Sequence, residues 1–494
     1  MFDNYNSDNI ALRSLNDKLS YNEIIQETKN LNDKIDLNYD VYALFLSNSL
    51  AWPLFDIFLF NENKLCVPIP KFFTNNFVLK FLDFSNAQII ISDNFDFFIE
   101  NYDFYSLKLV LIESFIIKGE EIFVFKSRYA FHKLKNSKEI SKITFTSGTT
   151  SSPKGVCLSK SYIEKTANNL AEKLHKLDHK VHLSILPYTV LLENIAGIYV
   201  SLLLKKTIHI ENQDYLAFDG VKFKSKEKFI DIVERIEPDS VICYPQLLEL
   251  FIKLYKKNKK IFSTNNFIAM GGAPSSQKDI YIAKKLGINV YEGYGLSECS
   301  SVVSLNTPFE YKKNTQGKIL THNSYKIFNN ELYIKNLGFL GYIKEDINYF
   351  KKNTNKWIPT GDIVKVDNNN FLKVVGRKKD LIINSYGRNI NAKEIEDKLL
   401  ATNIFKELLL VGNNKNYCTL FYVPLHNDMD IKEFISNINK KLPDFSKIKI
   451  YIKVQKFPSQ KKLDQDRGNY RFFYEKNYVN KKNISNKIGV KNVL

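Results

Sequence analysis

Short apolar runs rich in Val, Ile and Phe alternate along the chain with longer stretches of helical periodicity. VYALFLSNS (Val41 to Ser49) predicts a strand ending in turn residues. WPLFDIFLFNENK then predicts a helix, LCVPIP an extended segment, and AQIIISD (Ala87 to Asp93) a second strand with its turn. FIAMGGAPSS (Phe267 to Ser276) reads as strand, glycine turn and polar helix start, and VYEGYGLSECSS (Val290 to Ser301) repeats that pattern. Alternation of this kind predicts α/β units with largely parallel sheets flanked by helices. From about Glu331 the texture changes to β-type segments, ELYIKN, DIVKVD and FLKVVG. After the basic, glycine-bearing connection GRKKDLIINSYGRN (Gly376 to Asn389) come a helical NAKEIEDKLL and two strands, ELLLVG and CTLFYVPL. The expected architecture is α/β. Residues 1–376 form a large N-terminal domain of mostly parallel sheets with a β-rich subdomain, and residues 377–494 a small α+β domain. The boundary falls near Arg377 to Asp380.

Length agrees with this division, since 494 residues exceed what one core usually serves. The most apolar window, LSILPYTVLLENIAGIYVSLLL, contains Pro187 and Glu193 and predicts buried core rather than a membrane span. The first residues have no apolar core of the signal-peptide kind. Five cysteines are odd in number and widely scattered, so neither a disulfide framework nor a cysteine zinc site is expected. A reducing, cytoplasmic setting is expected. The tail after about Tyr474 is rich in Lys and Asn and is expected to be loosely ordered.

The net charge of +18 raises the question of nucleic acid. The lysines are spread through the chain, however, and no basic-aromatic cluster or helix-turn-helix pattern accompanies them, so no nucleic-acid partner is expected. A basic surface favours nucleotides, acidic carrier proteins or anionic lipid surfaces, which leaves peripheral membrane contact open. The histidines make no metal site by spacing. His175, His179 and His182 fall in EKLHKLDHKVH, which reads as an exposed polar helix end with solvated imidazoles.

The stretch richest in chemistry is TFTSGTTSSPKG, from Thr144 to Gly155. Backbone N–H groups in such a turn form a nest for an anion, hydroxyls add donors and Lys154 adds charge. A nucleotide polyphosphate is the expected guest. The common P-loop does not fit, because Pro153 stands where its second glycine would be and Gly155 follows Lys154. Thr146, Ser147, Gly148, Thr149, Thr150 and Lys154 are the candidate phosphate ligands. Glu298, after a glycine turn and Ser297, is a candidate oxygen ligand for magnesium, which prefers carboxylates together with substrate phosphates. Asp362 in PTGD offers two acceptor oxygens for a pair of ribose hydroxyls. Gly271, Gly272 and Ala273 leave room for backbone to lie flat against an adenine ring, on which Tyr294 would stack.

TSGTTSSPKGVCLS, YGLSE, TGD and GRKKD followed by GRNINAKEIE occur in that order at domain-scale spacings. Together they resemble the adenylate-forming superfamily of acyl-CoA synthetases, luciferases and peptide-synthetase adenylation domains, over nearly the whole chain. The resemblance implies Thr146 to Gly155 as the phosphate loop, with adenine against Gly271–Pro274 and Tyr294. Ser297 and Glu298 would meet the α-phosphate and Mg²⁺, and Asp362 and Arg377 the ribose. It places Lys379 at the hinge of a mobile C-terminal domain, and Gly387 along the thiol's approach. It also implies ATP and Mg²⁺ as cofactors, a small-molecule carboxylate as substrate, and coenzyme A or a carrier-protein phosphopantetheine as thiol. The segment LPYTVLLENIAG (Leu186 to Gly197) looks more like fatty-acyl-activating relatives, with Tyr188, Thr189 and Val190 near the acyl group.

Three departures stand out. Ser151 replaces a usual glycine of the phosphate loop, and Ala392 replaces a usual proline. The third concerns the Gly-Lys pair near the C-terminus of most relatives, whose ammonium bridges carboxylate and α-phosphate. The matching register gives Gly468 and Asn469. Lys461, Lys462 or Arg467 would stand in, or adenylation would be slow or close differently. The expected activity is carboxylate activation to acyl-AMP and transfer to a thiol, as in long-chain fatty acid–CoA ligases. The alternatives are an acyl-[acyl carrier protein] ligase and a nucleotide-binding relative without turnover.

Overall fold

The computed structural model describes residues 7–100, 109–127, 139–146, 154–218, 223–257, 261–272, 276–344, 347–353, 355–378, 381–383, 385, 389–413, 415–426, 431–440, 442–457, 470, 473–474 and 491–493. Two nine-stranded sheets dominate it. In the first, six strands run parallel: Ile10–Arg13, Thr207–Ile210, Val181–Ser184, Ser240–Cys243, Phe267–Met270 and Val290–Leu296. Antiparallel strands, including Ser301–Leu305, close both of its edges. The second sheet is parallel at its centre, through Lys142–Thr146, Leu65–Pro68, Val41–Phe45 and Ile89–Ser92, and antiparallel outside it.

The predicted strands at Val41 and Ile89 are therefore present, and buried throughout, as expected for strands covered on both faces. Helix Ala51–Asn61 is buried from Ala51 to Phe60 and carries almost no polar face, which marks it as an interior helix. Its one acid, Asp56, accepts from Lys142 Nζ at 2.7 and 3.0 Å, Asn194 Nδ2 at 2.8 Å and Tyr199 Oη at 2.7 Å. Lys142 and Asp56 are 1% and 0% exposed. A charge pair so deep is tolerated because each partner is also hydrogen-bonded.

The apolar window around Pro187 is interior, with Tyr188 packed on Trp52 at 5.1 Å between ring centroids. It contains a π-helical segment, Glu193–Tyr199, that runs into helix Val200–Leu203. Among the described residues no helix is long and apolar enough to cross a membrane.

VYEGYGLSECSS departs from the expected strand-turn-helix. Val290–Leu296 turns through Ser297–Cys299 into the antiparallel strand Ser301–Leu305. A left-handed backbone at Ser300 (φ 55°) and Ser301 (φ 86°) makes the reversal. The β-rich segment is a four-stranded antiparallel sheet of Tyr325–Phe328, Glu331–Lys335, Trp357–Val366 and Leu372–Arg377. Beyond it, strands Phe405–Val411, Cys418–Pro424, Ile448–Val454 and Lys491–Val493 form one sheet, with helices Ala392–Leu400 and Lys432–Asn439. Ile382, Leu399, Leu408, Leu420 and Tyr451 share one apolar cluster there, so this α+β unit has its own core. The tail 475–490 lies outside the described residues.

Candidate functional site

The two described ends of the stretch from Thr144 to Gly155 are paired strands. Lys142–Thr146 pairs antiparallel with Lys154–Leu158, and Thr146 stands directly opposite Lys154. Ser147, Gly148, Thr149 and Thr150 lie outside the described residues, as does the side chain of Thr146. Gly155 is constrained by packing, because a Cβ there would lie 2.9 Å from Ile143 Cγ2 and 3.1 Å from Phe145.

Strand Phe339–Lys344 runs beside Lys154–Leu158, with Tyr342 opposite Val156. Tyr342 Oη donates to Glu298 Oε1 at 2.7 Å, and Lys154 Nζ lies 5.5 Å from the Tyr342 ring centroid. The structure thus gathers Lys154 and Glu298, which are far apart in sequence, around one phenol. Burial and the Glu298 charge push the Tyr342 hydroxyl up, so it stays a protonated donor. Tyr342 was missed in the sequence. It lies in an ordinary strand pattern, FLGYIK, and only pairing with the hairpin gives it a role.

Ser297 and Glu298 form the tip of the reversal after Leu296. Next to it Ser300 and Ser301 hold φ values that non-glycine residues adopt at a cost, and their buried hydroxyls have no hydrogen-bond partner. Gly295 is required here, since a Cβ would lie 1.6 Å from the Ser301 carbonyl oxygen.

Tyr294 Oη donates to Asp362 Oδ2 at 2.5 Å. Burial first, and then the Asp362 charge, raise the Tyr294 phenol. Arg377 Nε lies 3.0 Å from Asp362 Oδ1, and its guanidinium also donates to the Thr360 carbonyl at 3.1 Å. Asp362 is 2% exposed and Arg377 half-exposed at its side chain. The turn before Asp362 uses Gly361 at φ +70°, with its N–H donating to Glu331 Oε1 at 3.1 Å. Tyr294, Asp362 and Arg377 therefore form one connected group, and each Asp362 oxygen already has a donor. A carboxylate oxygen can accept more than one hydrogen bond, so ribose hydroxyls are still compatible with it.

Gly271 and Gly272 follow strand Phe267–Met270, and a Cβ on Gly272 (φ +81°) would meet nothing within 4 Å. Both glycines line a cavity of about 230 Å³ with Tyr294 and Ser297. Ala273, Pro274, Lys379, Gly387 and Asn469 lie outside the described residues, as do Lys461, Lys462 and Arg467.

The cavity continues from Gly271 along the parallel sheet between aliphatic side chains such as Leu170, Leu191, Val200 and Val241. Val190 lines it, whereas Tyr188 and Thr189 are buried and are not among the residues that line it. The expectation of solvated histidines is corrected here. His175 is exposed, but His179 and His182 are 5% and 3% exposed and line this cavity. The chain after helix Lys160–Leu174 turns inward to begin strand Val181–Ser184, carrying both rings with it. Among the described residues no group of three or more His, Cys, Asp or Glu side chains is arranged to hold a metal.

Comparison with known proteins adds to this geometry. Long-chain-fatty-acid–CoA ligase FadD15 of Mycobacterium tuberculosis is 32% identical over 167 residues, 33% of this chain and 28% of that protein. Long-chain-fatty-acid–CoA ligase ACSBG1 of Homo sapiens is 23% identical over 371 residues, 61% of this chain and 49% of that protein. The matched regions thus span less than half of these curated relatives. Among solved structures, o-succinylbenzoate CoA synthetase (MenE) from Bacillus subtilis with its acyl-adenylate intermediate superimposes at a TM-score of 0.68 and 18% identity. That match covers 92% of this chain and 93% of that one. The anthranilate CoA ligase AuaEII with anthranoyl-AMP gives 0.70 at 13% identity, covering 94% of each chain. Both likenesses speak for the fold. The family model of AMP-binding enzyme matches residues 3–338, well over half of the sequence, and the chain belongs to that family.

Proposed function

We propose that this chain activates a carboxylic acid with ATP and passes the acyl group to a thiol. In the first step a carboxylate oxygen attacks the α-phosphorus, the α–β phosphoanhydride bond breaks, and acyl-AMP and pyrophosphate form. In the second, a thiol loses its proton, its sulfur bonds to the acyl carbon, and AMP leaves. Coenzyme A is the thiol we assign, and the net charge of +18 suits so anionic a partner.

The observation that carries this reading is the gathering of four charged groups at one end of an apolar cavity. Lys154 and Glu298 meet around Tyr342, and Asp362 with Arg377 is tied to Tyr294 on the strand that leads to Glu298. In that arrangement Lys154 stabilises phosphate charge, and Asp362 and Arg377 orient the ribose. Gly271 and Gly272 admit the base. Most of the acceleration comes from positioning and charge stabilisation. Thr146, Ser147, Gly148, Thr149 and Thr150 complete the phosphate cradle in this proposal, with Ala273 and Pro274 beside the base.

Glu298 fits a magnesium ion that arrives with the phosphates. It is a half-buried hard-oxygen ligand, its carboxylate oriented by the Tyr342 hydroxyl, and no self-sufficient protein cage surrounds it among the described residues. Bound there, magnesium would neutralise phosphate charge. We place the division between domains at 376/377, before the last residue of strand Leu372–Arg377. Lys379 then lies at the hinge and Gly387 on the thiol's approach.

Pyrophosphate release from Mg-ATP, measured across short, long and aryl carboxylic acids with and without coenzyme A, tests the proposal. Acid-dependent release, with AMP production stimulated by coenzyme A, is expected. ATP binding without release for every acid would identify a nucleotide-binding relative instead. Release stimulated by a carrier protein but not by coenzyme A would move the acceptor to carrier-bound phosphopantetheine.

A further inference from the structure

The cavity beyond Gly271 has two chemically different ends. Gly271, Tyr294 and Ser297 lie at the carboxyl ends of the parallel strands, beside the charged groups. Its other end lies at the amino ends, where Ser240 begins one strand and Phe267 the next. Ser240 is registered opposite both His182 and Phe267. Gly271 lies four positions beyond Phe267, so the two ends are about 13 Å apart at roughly 3.3 Å per residue.

That far end is polar, although the walls leading to it are aliphatic. His182 Nδ1 is 2.9 Å from Ser240 Oγ, and its Nε2 is 3.1 Å from Glu193 Oε1. Ser184 Oγ donates to the same Glu193 oxygen at 2.6 Å. Glu193 is wholly buried behind His182, and its Oε2 has no hydrogen-bond partner. His179, also buried, lines the cavity next to this group, and its Nδ1 has no partner either. Buried polar atoms are nearly always paired, so the partnerless nitrogen of His179, a residue that lines the cavity, points to a partner that arrives with the ligand. A site made for a methyl-ended chain gains nothing from such a floor. Among the described residues no Lys or Arg lines this cavity, so a second carboxylate would find no cation there.

We infer that the preferred acid carries an uncharged hydrogen-bonding terminus, a hydroxyl, which is received by His179 and Ser240 at the far end of the cavity. This inference rests on the proposed carboxylate activation. The 13 Å span corresponds to about ten chain atoms at roughly 1.3 Å of advance per 1.5 Å carbon–carbon bond. Medium-length ω-hydroxy acids fit the site. Glu193 acts as a positioning residue, holding the His182 ring.

The test compares decanoate, 10-hydroxydecanoate and decanedioate with the full chain. Pyrophosphate release gives kcat/KM for each, and calorimetry gives each binding constant. The hydroxy acid is expected to exceed both others at least tenfold in kcat/KM and in affinity. In His179→Leu that ratio is expected to fall to near one, and in His179→Gln to recover in part. Should His179→Leu fail to fold, Ser240→Ala serves as the second variant, with the same collapse of the ratio expected. Equal binding of decanoate and 10-hydroxydecanoate, or a ratio unchanged in a folded variant, would overturn the inference. Selective binding without pyrophosphate release would instead overturn the activation reading and leave the recognition of the hydroxyl standing.

Discussion

Tyr294 and Asp362 are joined by a 2.5 Å hydrogen bond that links the parallel sheet to the antiparallel β-rich segment. The phenol donates a hydrogen bond to a carboxylate that Arg377 approaches from the other oxygen. Any ribose bound at Asp362 is thereby held by elements from both sheets. Asp362→Asn should raise the KM for ATP about ten- to hundredfold, since hydrogen bonds to a charged group contribute about 1.5–3 kcal/mol. Tyr294→Phe should weaken AMP binding by calorimetry, and less than Asp362→Asn does.

Glu298 and Tyr342 give a second pair of variants. Glu298→Gln keeps the shape and removes the charge, and should lower pyrophosphate formation on the order of 10²–10³-fold. Its thermal midpoint should stay close to that of the parent chain. Tyr342→Phe should lower the rate less and raise the magnesium concentration needed for half-maximal rate. A magnesium titration of both variants checks this.

Gly295→Ala should be severe. The new Cβ would fall 1.6 Å from the Ser301 carbonyl oxygen, which is backbone and cannot swing aside. Overpacking of this kind typically costs about 1–3 kcal/mol. Denaturant unfolding should show the loss, and activity should fall with it because the same reversal carries Ser297 and Glu298.

Much of this was legible because it is local. The strands at Val41 and Ile89 and the buried window around Pro187 declare themselves by pattern alone. Lys154, Glu298 and Asp362 stand out by the turns in which they sit. What could not be read depends on tertiary contact. VYEGYGLSECSS looks like a strand feeding a helix, yet Ser300 and Ser301 turn it back as a hairpin. Tyr342 has meaning only beside Glu298. EKLHKLDHKVH scans as an exposed helix end, and nothing in its spacing tells that Glu193, from a later segment, lies behind His182.

The buried pair of Lys142 and Asp56 predicts an asymmetry. Lys142→Met leaves the Asp56 carboxyl buried without its cation, and should cost about 3–5 kcal/mol in urea unfolding. Adding Asp56→Asn should recover part of that loss, because the remaining amide brings no charge to bury. Non-additivity in this double-mutant cycle is the expected sign of direct coupling.

His179 predicts a pH dependence. Burial, helped by the Lys206 charge and opposed by Asp239, holds its imidazole down at about 4, against an ordinary 6.5. Between those values the unfolded chain takes up a proton that the folded chain does not. Its contribution to stability is therefore complete above about pH 6.5 and is lost as pH falls towards 4, up to about 3 kcal/mol. The stability of His179→Leu should fall less steeply over that interval.

Exchange of labelled pyrophosphate into ATP isolates the first half-reaction, independent of any thiol. With magnesium and a suitable carboxylic acid, label should enter ATP. Entry should stop when the acid is omitted, and should fall sharply in Glu298→Gln. A chain that binds ATP tightly yet exchanges no label with any acid, or that releases ADP and phosphate instead, would contradict carboxylate adenylation at this site.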